Sequence, residues 1–283
     1  MERTDPTRRH TRRRTLRRAA AIVIVLPALG SCRWAQNYTD PAGPRFAGAL
    51  PGPPPSAEWG GTLRVVSFNV ERGVQVDSAL AVLRTDPGVA EADVVLLQEM
   101  EETGTRRIAE ALGMAFVYYP AVRYDGDGRH FGNAVLSRWP IVDDEKLLLP
   151  HRSVFGRTQR IATAATIRVG RTPVRVYSVH LGTPANMALR DRADQLRTVL
   201  QDAARHPHVI LGGDLNSGGL GDMARRRGYA WPTEDGPRTL VFGRWDHVLF
   251  KGLTPPEEDA AGTVMNNRGA SDHKPVWALG TLR

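Results

Sequence analysis

The apolar positions after residue 61 fall mainly into short runs, with few helical stripes. Leu63-Arg64-Val65-Val66-Ser67-Phe68-Asn69-Val70 and Asp93-Val94-Val95-Leu96-Leu97-Gln98-Glu99 have the length and β-branched content of buried strands. Similar runs predict strands at 115–119, 133–137, 141–149, 161–169, 174–179, 208–211, 245–250 and 274–279. Helical spacing is confined to 77–83, to 103–112 with Ile108, Ala111 and Leu112 on one face, and to a third stretch. There Leu189, Ala193, Leu196, Val199, Leu200 and Ala203 recur. Thr183-Pro184 predicts the start of that last helix, because Thr caps and Pro suits the first turn. Asp125-Gly126-Asp127-Gly128 reads as a mobile loop. No segment repeats with a solenoid period. Strands outnumber helices and come in runs as well as alternating with them. That pattern predicts a mixed α/β domain with sheet packed on sheet.

Polar groups recur at the ends of these runs. Asn69, Glu99, His180, Asp214, Asn216, Asp246 and His273 each stand at or just past the end of an apolar strand. Singly, each is ordinary: a lone His beside a strand is usually packed and satisfied, and a lone Glu is usually surface. Together they predict one shared rim. The centre of the pattern is Ile210-Leu211-Gly212-Gly213-Asp214-Leu215-Asn216, a buried run that stops at two glycines. Two readings of it stand side by side. Asp214 and Asn216 share one side of an extended segment, or they form an Asx-type turn after the strand.

Charge alters the picture only at the N-terminus. Eight arginines against Glu2 and Asp5 put six of the eight net positive charges in residues 1–31, which leaves +2 for the remainder. The body therefore lacks a strong basic footprint for nucleic acid. The arginines lead into Ala19-Ala20-Ala21-Ile22-Val23-Ile24-Val25-Leu26, a core of signal-peptide length and too short for a mature span. Arg13-Arg14-Thr15-Leu16 partly matches a twin-arginine signal. Leu29-Gly30-Ser31-Cys32 resembles a bacterial lipobox, which makes Cys32 the expected lipid attachment and residues 1–31 a cleaved leader. Such a protein would sit on the outer face of a bacterial membrane, or be secreted or periplasmic if the cysteine is not modified. A cytoplasmic protein with a basic arm is the competing reading. Cys32 is the only cysteine, so no intrachain disulfide forms. Residues 32–61, rich in Pro, Gly and Ala, read as a tether, and 62–283 as the folded domain.

Seven segments in order carry a resemblance. They are Ser67-Phe68-Asn69-Val70, Leu97-Gln98-Glu99, Gly132-Asn133-Ala134-Val135-Leu136-Ser137-Arg138, Val179-His180-Leu181, Gly212-Gly213-Asp214-Leu215-Asn216, Trp245-Asp246-His247-Val248 and Ser271-Asp272-His273-Lys274-Pro275-Val276. This set resembles the endonuclease/exonuclease/phosphatase family, the deoxyribonuclease-I-like metal phosphoesterases, across the whole of 62–283. The resemblance implies a four-layer α/β sandwich, two mixed β-sheets packed face to face and flanked by helices, with a site at one edge.

It also implies metal-dependent hydrolysis of a phosphoester, and the residues can supply the parts. Asn69, Glu99 and Asp272 offer hard oxygen ligands for Mg²⁺, or Mn²⁺ in its place. Zinc suits the set less, since no free cysteine or close His pair is present. Asp214 is the expected base or water orienter, with Asn216 holding it. Asp246 would fix and charge the His273 ring, and His180 would donate to phosphate or the leaving oxygen. His247 is the alternative to Asp246. Asn133 and Arg160 are candidate substrate contacts, although Asn133 and Arg138 also suit ordering a loop. The expected substrate is nucleic acid, a phospholipid head group or a small phosphodiester, with no protein partner implied. A DNA or RNA endonuclease and a non-catalytic binding lipoprotein on the same fold are the alternatives.

Overall fold

In the computed structural model, residues 35–50, 52–53 and 61–282 are described; the expected leader, Cys32 and residues 54–60 lie outside them. The chain opens with β1 (Ala35–Asn37), β2 (Phe46–Gly48), β3 (Thr62–Asn69), α1 (Val76–Thr85), β4 (Val94–Met100) and α2 (Glu102–Leu112). It continues through β5 (Ala115–Tyr124), β6 (His130–Ser137), β7 (Ile141–Arg152), β8 (Gln159–Val169), β9 (Thr172–His180) and α3 (Leu189–Ala203). It ends with β10 (Val209–Asp214), α4 (Asp222–Arg225), β11 (Asp246–Lys251), β12 (Leu253–Thr254), β13 (Ala261–Thr263) and β14 (Val276–Leu282).

Two sheets result. A nine-stranded sheet runs β1-β5-β6-β4-β3-β14-β12, with β13 on β14 and β2 on β5, and a five-stranded sheet runs β11-β10-β9-β8-β7. Period-two alternation sorts their side chains into layers. Val65, Leu96, Val135, Ile167, Val176, Ile210 and Val248 meet between the sheets. Their sequence neighbours Val66, Val95 and Leu136 face the other way, onto Val82 of α1 and Ile108 of α2. Tyr177 and Leu211 face Leu196 and Val199 of α3. The expected helix–sheet–sheet–helix sandwich is what forms.

Several local expectations differ from the structure. Most strands run longer than their apolar cores, because backbone pairing continues through polar positions such as His130 and Arg152. The last strand starts at Val276, two residues later than expected, since Lys274 donates its N–H to Thr239 O outside the sheet. Thr183-Pro184 does not open α3. Asn186 N–H returns to Thr183 O in a turn, and Ala188 precedes the helix. The segment 125–128 closes a tight hairpin turn through Gly128 N–H to Tyr124 O. The expected tether is docked in part: β1 and β2 both pair with β5. Its side chains explain the docking. Asn37 accepts from Gln159 N–H, and Arg45 makes a two-pronged ion pair with Asp144 at 2.6 Å.

Gly213 is required where β10 lies against β9. Its φ is +145, and a Cβ there would stand 1.8 Å from Val179 O. Gly213→Ala is expected to cost about 3 kcal/mol or more through strain and overpacking. Chemical denaturation measures this, and an unmoved midpoint would show that the strand pair can spread.

Candidate active site

Register brings most of the site together. In the smaller sheet Asp214 is the direct partner of His180 on parallel β9 and of Asp246 on antiparallel β11. All three share the alternation of the inter-sheet core, as Ile210, Val176 and Val248 do, so they cap that core at one end. In the larger sheet Asn69 follows the same alternation from Val65 and pairs with Gln98. Glu99 does not follow it. Alternation would send Glu99 outward with Val95 and Leu97. Instead its φ is +59, and β4 shifts register against β6 between Leu97 and Met100. That bulge turns the carboxylate toward Asn69.

The side chains interlock across the two sheets. Asn69 Nδ2 donates to Glu99 Oε1 and to Asp214 Oδ2, both at 3.2 Å. His180 Nε2 lies 3.5 Å from Asp214 Oδ2 and 3.8 Å from Glu99 Oε1. His273 Nε2 lies 3.8 Å from the same Asp214 oxygen, while its Nδ1 meets Asp246 Oδ2 at 2.7 Å. Asn216 N–H and Nδ2 both bond Asp214, at 2.7 and 3.2 Å, and Nδ2 also reaches Leu181 O. Of the two readings of this stretch, the turn is the one that forms, because β10 ends at Asp214 and the chain is no longer extended at Asn216. Asn216, at φ +50, closes an Asx turn, and the turn is what delivers it to Asp214.

Burial and neighbouring charge set the protonation states. Burial raises Asp214, and the Asp246 charge adds to it, so its pKa stands at about 7. Burial opposes the His273 charge, but the charge and hydrogen bond of Asp246 overcome it and lift the ring to about 10. Burial, then the Arg160 charge, holds His180 well below its ordinary value, so it is neutral. Arg160 donates to His180 Nδ1 at 3.2 Å, and a guanidinium cannot accept a hydrogen bond. The ring proton is therefore on Nε2, facing the carboxylates. Burial also raises Glu99.

The remaining candidates divide. Arg160 joins the site, stacked 5.4 Å over Phe131. Asn133, expected at substrate, has its amide nitrogen on Ile161 O and Ser178 O, where it ties the sheets together below the site. Its donors are spent on that brace. Asp246 is the one bonded to His273, while the His247 ring is buried against Trp231 Nε1 and bonded to backbone carbonyls. Asp272 is exposed; no hydrogen bond joins it to Glu99, but its charge contributes to raising Glu99.

Three contributors had gone unassigned. Ser271 bonds Asn69 O at 2.7 Å and receives His273 N–H. Thr239 Oγ1 accepts from the N–H of Trp245 and Asp246. Glu71 takes the Asp272 N–H. Ser271 stands beside Asp272 and His273, and that adjacency is its signal in the sequence. Thr239 and Glu71 carry no such signal.

Residues 66–273 match the sequence model of the Endonuclease/Exonuclease/phosphatase family. The chain belongs to that family. Its members are typically phosphodiesterases and nucleases that depend on a divalent metal. Among solved structures, the family protein from Beutenbergia cavernae is similar at 22% identity and a TM-score of 0.65, covering 78% of this chain and 72% of that one. D. rerio TDP2, complexed with a single strand DNA product, is similar at 18% identity and TM-score 0.61, with 78% and 99% covered. The human Nocturnin catalytic domain, with a bound sulfate anion, follows at 14% identity and TM-score 0.59, with 84% and 98% covered. No curated protein sequence matches the chain.

The donor set of this family member fits a divalent metal at Glu99. That half-buried carboxylate receives N–H groups from Asn69 and Arg72, yet pairs with no arginine or lysine among the described residues. Oxygen ligands of this kind suit Mg²⁺. Ligand atoms of Asp214, Asp246 and His273 also lie within 4.8 Å of one another. The charged, Asp246-bound His273 ring is a poor ligand there, so that trio reads as acid–base machinery.

Proposed function

We propose that this chain is an exported, lipid-anchored, Mg²⁺-dependent phosphoesterase that hydrolyses a phosphodiester or phosphomonoester by attack of water. The observation that carries the hydrolytic reading is the convergence of Asn69 and Glu99 with His180, Asp214 and the Asp246–His273 pair at one end of the inter-sheet core. Asp214, titrating at about 7, takes the proton of the attacking water, and Asn216 and Asn69 hold it in place. His180 donates from Nε2 to a phosphoryl or leaving oxygen. His273 stays cationic and offers its Nε2 proton to a phosphoryl oxygen. Glu99, with Asn69 and Asp272, would hold a divalent ion, which would supply positive charge against that developing on the phosphoryl group. Export and anchoring rest on the basic, apolar and Cys32 sequence of the N-terminus. Cell fractionation and the mass of the mature N-terminus test that part.

The deciding experiment is a substrate panel with Mg²⁺: plasmid DNA, RNA, sphingomyelin, inositol phosphates and a soluble bis-aryl phosphodiester. Hydrolysis of at least one is expected, and Glu99→Gln should weaken the apparent Mg²⁺ affinity tenfold or more. A chain inert on every member would leave the non-catalytic reading.

The pH profile follows from the protonation states. Asp214 must be deprotonated and His273 protonated, so kcat/KM should rise with pH through about 7 and fall near 10. A flat profile between pH 6 and 8 at saturating metal would remove Asp214 as the base.

A further inference from the structure

Eight large apolar side chains are exposed among the described residues, and they are not spread evenly. Val154 and Phe155 lie in the connection from β7 to β8, and Val241 and Phe242 in the connection leading into β11. Three more follow strand ends: Val74 after β3, Leu189 after β9 and Met265 after β13. Every one of these connections opens at the end that carries Asn69, His180 and Asp214, as the registers of β3 with β14, β8 with β9 and β10 with β11 require. Only Val142, near the start of β7, lies elsewhere. Exposed apolar groups gathered at one face mark an interaction site.

Two of these connections form tips. Leu240 and Gly243 exchange backbone hydrogen bonds, so Val241 and Phe242, 79% and 81% exposed, are the two central residues of a tight turn. Such positions favour Gly, Asn and Asp, so an apolar pair there has another purpose than turning the chain. On the other side Ser153 Oγ bonds Phe155 O and Thr158, which holds Phe155 outward at 71% exposure. The tips flank the site at opposite sides of the β11-β10-β9-β8-β7 sheet. Three to four strand spacings separate them, roughly 15–20 Å.

Charge beside the exposed apolar groups is complementary to an anionic surface. Arg152, Arg157, Arg238 and Arg268 are exposed and make no ion pair among the described residues. Of the acids at this end, Asp125, Asp127 and Asp235 pair with Arg123, Arg72 and Arg244, while Glu71 and Asp272, exposed beside Asn69 and His273, have no such partner among the described residues. Five of the seven exposed apolar groups are aliphatic. Aliphatic groups gain from hydrocarbon but cannot stack on bases, which favours lipid over nucleic acid.

We propose that the site end of the molecule seats on an anionic lipid surface, with Val154-Phe155 and Val241-Phe242 entering the interface and the phosphoester presented by a phospholipid headgroup. The headgroup assignment rests on the phosphoesterase reading above; the docking surface does not. In the full-length chain, Phe155→Trp and Phe242→Trp are each titrated with phosphatidylglycerol vesicles carrying brominated acyl chains. The added tryptophan emission should shift to the blue and be quenched, and more weakly so with phosphatidylcholine. Unshifted, unquenched emission overturns the proposal. Quenching by a single-stranded oligonucleotide with none by bromolipid assigns the tips to base stacking, and overturns it equally. The double change Phe155→Ser with Phe242→Ser should lower hydrolysis of vesicle phosphatidylglycerol at least tenfold and leave a soluble bis-aryl phosphodiester unaffected. Equal loss on both substrates would make the tips structural and overturn the proposal. Quenching needs no turnover. A chain that inserts its tips but hydrolyses nothing therefore refutes the phosphoesterase reading while the docking surface stands.

Discussion

Asp214→Asn is expected to lower kcat about 10³-fold with the fold retained, within the range of a lost general base. The substitution keeps the volume at a buried position where Asn216 N–H still finds an oxygen at Oδ1. It removes the proton acceptor, and it also sets an amide N–H₂ where Oδ2 accepts from Asn69 Nδ2 and Asn216 Nδ2, so the unfolding midpoint should fall while the fold is kept. Asp214 is the point where the two halves of the site meet, touched by Asn69 from one sheet and approached by His180 and His273. Its pKa is elevated by burial, reinforced by the Asp246 charge. The change should act on kcat more than KM, because a base acts in the transition state. Steady-state kinetics beside thermal unfolding make the test. A variant within tenfold of the parent would move the base elsewhere.

Asp246→Asn carries the second large expectation, a loss of about 10²-fold in kcat/KM together with a displaced alkaline limb. Asp246 bonds His273 Nδ1 at 2.7 Å and is the main reason that ring keeps its proton despite burial. Without the carboxylate charge, the His273 pKa should fall from about 10 toward or below the ordinary 6.5. The falling limb of the pH profile then moves down by several units. Stability should change with the same sign. A histidine whose folded pKa lies above its unfolded one stabilises fully below 6.5 and loses that contribution as pH rises through 10. The variant should lack this slope of unfolding free energy against pH. An alkaline limb that stays near 10 would mean another group holds the ring charged.

The residues of the site differ in how they could be read from the chain. His180, Asp214 and Asp246 end or begin apolar runs of even spacing, so alternation alone turns them toward the core they cap. Arg160, expected at substrate, does join the site through His180, whereas Asp272, expected at the metal, stands exposed and unbonded to Glu99. Ser271, Thr239 and Glu71 act through backbone groups distant in sequence, such as Asn69 O for Ser271. Backbone partners leave no compositional trace. The docked segment 35–48 was misread for a related reason. Its Pro and Gly content is that of a linker, while a few side chains, Asn37 and Arg45 among them, hold it to the sheet.

The chain's own pattern determined the ten longer strands, the layering of the sandwich and the placement of seven polar groups at strand ends, because period-two burial is a local property of the backbone; the short β1, β2, β12 and β13 carry no such pattern. Gly212-Gly213-Asp214-Leu215-Asn216 was recognisable as a strand end with chemistry beyond it. Tertiary structure decided the rest. The bulge in β4 and the left-handed Glu99 turn a carboxylate inward that alternation sends out, and strand order sets His180 and Asp246 on either side of Asp214. Pairing partners and protonation states depend on which distant segments share a dielectric and a hydrogen bond. Those are properties of the packed molecule, and no window of sequence contains them.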